Sequence, residues 1–239
     1  MKTDLDHLPP RKVRELNRVK QIIFDEFENA TALGTSEWKR KGRIRGVILF
    51  GSYARGGWVD DLVGGKGYQS DYDLLVIVSH QKLKEMMELW EAINDRIFQT
   101  KGITTPVNII VHTLGEVNQA LSEGRYFFVD IYRDGIEISG ISGLKLKSPK
   151  PLSPEMALAM AKEHSEFWLE NAKEPIEVAK FSASRGKLNW AVFNLHQATE
   201  ALYNALLLTY TNYTPNTHNL NMLRSMSESI VPELIAAWP

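Results

Sequence analysis

The sequence predicts an α+β N-terminal domain followed by an all-α helical C-terminal domain. Three observations predict it. Short β-branched runs that read as strands stop before residue 140. From about residue 154 onward only helical periodicity remains. Between the two, residues 139–152 are rich in Gly, Ser, Lys and Pro and have no period, which suits a linker. A chain of 239 residues is long enough for two such units, and segregating strands from helices favours two cores over one. The expected division is 1–140, a linker at 141–152, and 153–239.

Taken in order, residues 11–33 predict a helix, because Val13, Leu16, Val19, Ile22, Ile23 and Phe27 recur every three or four positions and Gly34 follows. Residues 44–50 predict a buried strand, and 53–57 the start of a helix or turn. The glycine-rich segment 57–69 reads as a loop, long enough to be functional. A second strand is expected at 71–78, an amphipathic helix at 81–99, a third strand at 106–112, a short helix at 115–123 and a last short strand at 136–138. The aromatic run Tyr126-Phe127-Phe128 is expected to pack into the core, with base stacking as the sharper alternative. Ser153-Pro154-Glu155 supplies a serine cap, a first-turn proline and an early acid, so a helix over 154–184 follows, with a bend expected at Pro175. Further helices are expected over 187–211 and from near Thr217.

Composition sets bounds on function. Apolar residues make up 44%, enough for a real core, and the formal net charge of −1 argues against holding nucleic acid through bulk charge. The absence of cysteine excludes a disulfide framework and a thiolate metal site, and fits a reducing interior. Apolar runs fall short of the roughly 20 residues of a membrane helix, and no apolar signal core follows the N-terminus. A soluble, cytoplasmic protein with no membrane partner is expected. The apolar end at 236–239 reads either as a truncation or as a tail that docks on a partner.

The most specific chemistry lies in Gly-Val-Ile-Leu-Phe-Gly-Ser-Tyr-Ala-Arg-Gly at 46–56 and Ser-Asp-Tyr-Asp at 70–73. Side chains alternate along a strand, so Asp71 and Asp73 project to one side, where paired carboxylates are tolerable around a divalent cation. Hard oxygen ligands suit Mg²⁺, which shares itself with substrate phosphates. Gly51 lets backbone approach a phosphate, Ser52 adds a hydroxyl donor, and Arg55 offsets phosphate charge. Lys66, in the 57–69 loop, is a candidate phosphate contact, against the plain reading of a solvated loop. His112 closes the third strand and is either a site residue or a satisfied strand end.

Together, Gly51, Ser52, Ala54, Arg55 and Gly56, then Ser70, Asp71 and Asp73, resemble the nucleotidyltransferase superfamily of the DNA polymerase beta type, above all the minimal nucleotidyltransferases of bacteria and archaea. The resemblance covers roughly 40–140. It implies a mixed β-sheet with flanking helices, and Mg²⁺-dependent transfer of a nucleoside monophosphate from a nucleoside triphosphate, with Asp71 and Asp73 on the metal and Gly51, Ser52, Arg55 and Ser70 at the nucleotide. Such proteins usually carry a third acid on the next strand. Here that place falls at Asn108, which can ligate through its amide oxygen but supplies neither charge nor a base; Glu116 and Asp130 are the candidates to replace it.

In the helical half, Leu188, Ala191, Leu195, Ala198, Leu202 and Ala205 form an expected apolar stripe on 187–211, flanked by Asn189, Phe193, His196, Glu200 and Tyr203. His196 and Glu200 are one turn apart and are expected to satisfy each other. The segments 195–200 and 213–220 resemble the HEPN domain, a helical bundle found beside or fused to nucleotidyltransferases. HEPN ribonucleases place an arginine four to six residues before a histidine; before His218 those places hold Asn212, Tyr213 and Thr214. A ligand-binding or cleft-completing role is therefore expected over RNA cleavage, with Lys187, His196 and His218 as contacts. The resulting expectation is an Mg²⁺-dependent enzyme acting on a protein or small-molecule acceptor held between the domains. The alternative is a non-catalytic nucleotide sensor or antitoxin-like protein with a toxin-antitoxin-type partner. A homodimer is expected in either case.

Overall fold

The computed structural model describes residues 1–32, 34–61, 68–141, 143–150, 152–215 and 217–237. The chain divides into two compact units: Met1–Ser122 with Phe128–Pro149, and Glu123–Phe127 with the chain from Lys150 onward. The first is mixed α/β and the second is helical. No helix among the described residues is long and apolar enough to cross a membrane.

In the first unit, helix α1 (Pro10–Ala32) leads through the short α2 (Glu37–Arg40) to strand β1 (Ile44–Phe50) and helix α3 (Gly51–Arg55). The two-residue strands β2 (Asp60–Asp61) and β3 (Tyr68–Gln69) pair antiparallel, so the expected 57–69 loop has a hairpin stem. Strand β4 (Tyr72–Val78) follows, then α4 (Gln81–Lys84), α5 (Met87–Gln99), β5 (Val107–Thr113), α6 (Leu114–Ser122), α7 (Tyr126–Asp134) and β6 (Ile136–Glu137). The main sheet runs β5-β4-β1-β6. β4 lies parallel to β5 and antiparallel to β1, making the sheet mixed.

Every residue of β4 is buried, as a central strand covered on both faces requires. Tyr72, Leu74, Val76 and Val78 join the core that α1 and α5 build through Leu16, Val19, Ile23, Trp90 and Ile93. Asp73, Leu75 and Ile77 alternate to the opposite face. The expected helix over 81–99 is broken at Glu85–Met86. No proline or glycine marks that break; the Trp90 indole N–H donates to the Leu83 carbonyl at 3.0 Å, taking up an acceptor at the end of the first segment.

The helical unit contains α8 (Pro154–Ser184), α9 (Leu188–Thr211) and α10 (Leu220–Ile230), closed by a 3-10 turn over Pro232–Ala237. Ser153 caps α8 by accepting from the Met156 N–H, and the helix carries Pro175 in its interior. α10 starts at Leu220 rather than Thr217, because Asn219 is the residue whose side chain caps it. Asn212, at φ 53°, ends α9 in the left-handed region.

Candidate functional site

Strand pairing brings the candidate residues together. Phe50 at the end of β1 pairs with Asp73 on β4, and Asp73 pairs with Asn108 on β5. Gly51 follows Phe50 directly, so Gly51, Asp73 and Asn108 stand in a row across three neighbouring strands. Gly51 adopts φ 73°, and a Cβ placed there would lie 2.2 Å from Asp73 Oδ2. Glycine is therefore required twice over, by the dihedral and by the space.

Asn108 ties the acids to each other. Its Nδ2 donates to Asp71 Oδ2 at 3.0 Å and to Asp73 Oδ1 at 3.2 Å. Asp71 lies just before β4, and Asp73 is within it and only 5% exposed. Burial pushes the Asp73 carboxyl up to about 7, and the neighbouring Asp71 charge pushes the same way; the Asn108 N–H and the Arg55 charge oppose them. Two adjacent carboxylates are hard oxygen donors of the kind that Mg²⁺ or Ca²⁺ takes. Among the described residues no third His, Cys, Asp or Glu joins them.

The two candidate replacements for a third acid are engaged elsewhere. Glu116 accepts from Lys84 Nζ at 2.7 Å and the Thr113 N–H at 2.8 Å, and lies 3.2 Å from His112 Nδ1. Burial opposes the Glu116 charge, but Lys84 and Thr113 hold its carboxyl below the usual range. His112 is four strand residues from Asn108, about 13 Å along β5, so this cluster belongs to the other end of the sheet. Burial and Lys84 keep His112 below the ordinary imidazole range, against the pull of Glu116. Asp130 pairs with Arg133 at 2.9 Å, and burial raises its carboxyl. Arg55, exposed at the end of α3, acts electrostatically on Asp73, Asp130 and Asp134 alike.

Ser52 is the second residue of α3, which starts at Gly51 rather than at 53. The Ser70 hydroxyl accepts from the Val59 N–H at 3.0 Å and the Ser70 N–H donates to the Val59 carbonyl at 2.8 Å, clamping the base of the β2–β3 stem. Lys66 lies outside the described residues. One polar cluster went unseen in the sequence. Lys12 Nζ is 2.8 Å from both Asp60 Oδ2 and Thr105 Oγ1, while Glu15 accepts from the Thr104 and Thr105 N–H groups and from the Tyr72 hydroxyl. Burial works against the Lys12 charge, but Asp60 and the Tyr53 hydroxyl together hold the ammonium above its usual range. The available signal was phase: Lys12 falls in register with Leu16, Val19 and Ile23 on the apolar face of α1.

In the helical unit the pairing differs from expectation. Glu200 accepts from His218 Nδ1 at 3.0 Å, a long-range partner rather than the expected His196 one turn away. Lys187 precedes the first residue of α9 without a capping side-chain hydrogen bond, and His196 lies nine residues on, about 13 Å along the axis; the three candidates there do not form one cluster. Phe127 stacks on Tyr213 with centroids 4.0 Å apart, and Phe128 is buried against His112, so two members of the aromatic run do pack inside.

Residues 165–235 match the family model of the HEPN domain, so the C-terminal part of the chain carries that domain. No curated protein matches the chain.

Proposed function

We propose that the first unit binds the triphosphate of a nucleoside triphosphate with Mg²⁺, and transfers the nucleoside monophosphate to a protein or small-molecule acceptor. One observation carries this reading: the strand register that sets the bare backbone of Gly51 against Asp73, with Asp71 and Asp73 drawn together by Asn108. Asp71 and Asp73 would hold the metal, which neutralises phosphate charge and favours departure of pyrophosphate. The missing Cβ of Gly51 lets the Asp73 carboxylate lie against the turn, and Ser52 offers a hydroxyl donor to a phosphate beside it. Arg55, exposed at the end of α3, supplies a positive charge for the phosphates. The acceptor oxygen attacks the α-phosphorus, the bond to the β-phosphate oxygen breaks, and pyrophosphate leaves.

A second reading is favoured by Asn108 itself. An amide stands opposite Asp73 on β5, where a carboxylate would add charge and accept a proton. A unit that binds nucleotide and does not turn it over is consistent with that exchange. Incubation with α-labelled nucleoside triphosphates and Mg²⁺ separates the two. Labelled acceptor and released pyrophosphate, both lost in Asp71→Ala, support transfer. Saturable binding with no product supports the sensor reading. A protein that binds no nucleotide in the presence of Mg²⁺ refutes both.

A further inference from the structure

The net charge of −1 hides an uneven distribution. Three stretches that meet at one end of the main sheet, 38–45, 79–84 and 143–149, hold nine of the chain's 28 Lys and Arg and none of its 29 Asp and Glu. Contacts fix the meeting. The Arg43 N–H donates to the Ser79 hydroxyl at 3.0 Å, and the Arg43 carbonyl accepts from the Ser79 N–H at 2.9 Å. Leu144 lies over Gly46, where an added Cβ would come within 2.7 Å of it. This end is remote from the acids: β1 runs from Ile44 to Phe50, about 20 Å, and Phe50 is the residue paired with Asp73. Local structure turns the cations outward. The pairing of β1 with β4 slips between Ile44 and Gly46, a bulge that leaves Arg45 out of the ladder as the exposed member of an otherwise buried strand. Arg43 Nη1 donates to the carbonyls of Arg40 and Gly42 at 3.1 and 2.6 Å, which holds the guanidinium and leaves Nε and Nη2 without an acceptor among the described residues. Glu37 neutralises Lys41 and Glu116 neutralises Lys84; among the described residues no carboxylate pairs with Lys39, Arg40, Arg43, Arg45 or Lys82. An aromatic platform stands among these cations. The His80 ring stacks on Trp38 with centroids 6.1 Å apart, and its Nδ1 accepts from the Lys82 N–H at 3.1 Å. The imidazole is thus held by one face and one edge, while His80 stays exposed.

We infer that this end of the first unit binds a single strand of nucleic acid, with phosphates on Arg40, Arg43, Arg45 and Lys82 and a base stacked on the open face of His80. The inference is independent of the nucleotide reading. A cationic track beside an aromatic platform is the chemistry that recognises single strands, because each phosphate takes a cation and every base offers a π-face. A duplex is read by a helix or a β-ribbon entering a groove, and the helices at this end, α2 and α4, have four residues each. An acidic peptide would use the cations and leave the platform idle.

Fluorescence anisotropy of the full chain with labelled oligo(U) and oligo(dT) of roughly 12 nucleotides, within the span of a single-strand site, tests this in EDTA and without nucleoside triphosphate. Saturable binding is expected, and the tighter of the two strands identifies the natural one. With three or four phosphate contacts, log K should fall against log salt with a slope of about −2 to −3. Arg43→Gln and Arg45→Gln should each weaken binding and make the slope shallower by about 0.7. His80→Asn keeps a cap for α4 but removes the ring; it should weaken binding about tenfold and leave the slope unchanged. His80→Phe keeps the ring and should retain the affinity. Far-ultraviolet circular dichroism checks that each variant is folded. A parent chain that binds neither strand at low salt overturns the inference. So does binding indifferent to both arginine substitutions and to His80→Asn, and so does equal or tighter binding of a duplex, of polyglutamate or of anionic vesicles.

Discussion

The two units break the inside–outside rule in opposite directions. The first buries what should be exposed: Asp73, Lys12 and Glu15 are all nearly inaccessible. The second exposes what should be buried, at Leu188, Trp190 and Val192. A buried charge and an open apolar patch are the two departures that carry functional meaning. They also differ in their effect on the fold. Buried charges hold stability hostage to pH and to their partners, whereas an open apolar face contributes little to the fold of its own chain.

That contrast can be broken or sharpened by experiment. The largest expected effect is titration of Asp73. Its carboxyl has an ordinary value of 3.8 and is pushed to about 7 in the fold. Between those values the native state holds the proton that the unfolded chain releases, so stability falls as pH rises from 4 to 7, by up to about 4 kcal/mol in the absence of divalent cation. Urea denaturation at intervals across that range measures the slope, and Asp73→Asn should flatten it. If the slope survives that substitution, Asp73 is not its source. Next, Gly51→Ala forces a left-handed dihedral and drives a methyl into Asp73; a loss of roughly 3 kcal/mol is expected, together with loss of nucleotide binding. A variant as stable as the parent would show that the strand end relaxes freely.

Lys12→Met removes the cation shared by Asp60 and Thr105 and leaves Glu15 buried nearby. Asp60 is partly open to solvent, so the cost is expected nearer 2 kcal/mol than the full penalty of a sealed pair. At the low end, Val192→Glu should change the stability of the chain by less than about 0.5 kcal/mol, as for other exposed positions. Chemical denaturation at high dilution checks this. A large loss there would mean that Val192 supports the fold of its own chain.

Legibility in the sequence followed the same division. β1 and β4 could be read because β-branched runs between turn residues have few other solutions; Gly51 reads in the sequence as room for a phosphate, and in the fold that space is taken by Asp73. Helix α7 was missed: Phe127 and Phe128 were read as core packing without the helix that Ile131 and the Asp130–Arg133 spacing complete. The gap between α4 and α5 has no local sequence mark, since it turns on the tertiary hydrogen bond from Trp90 to Leu83. On α9, periodicity put Leu188, Leu195 and Leu202 in one stripe with Ala191, Ala198 and Ala205. The structure buries the alanines and leaves the leucines open. A repeat of three and four residues marks an apolar surface, and cannot say whether its own chain or another covers it. His196 and Glu200 failed as a pair for a related reason: helical spacing makes neighbours available, and His218, eighteen positions away, took the carboxylate.

The short stem at β2 and β3 has a practical consequence. It is fastened below by Lys12 on Asp60 and by Ser70 on Val59, both upstream of Asp71. Grafting a turn of different length between positions 61 and 68 should cost only about 0.6 kcal/mol per doubling. That makes the stem a place to install a fluorophore or an affinity peptide, and to ask whether Lys66 matters.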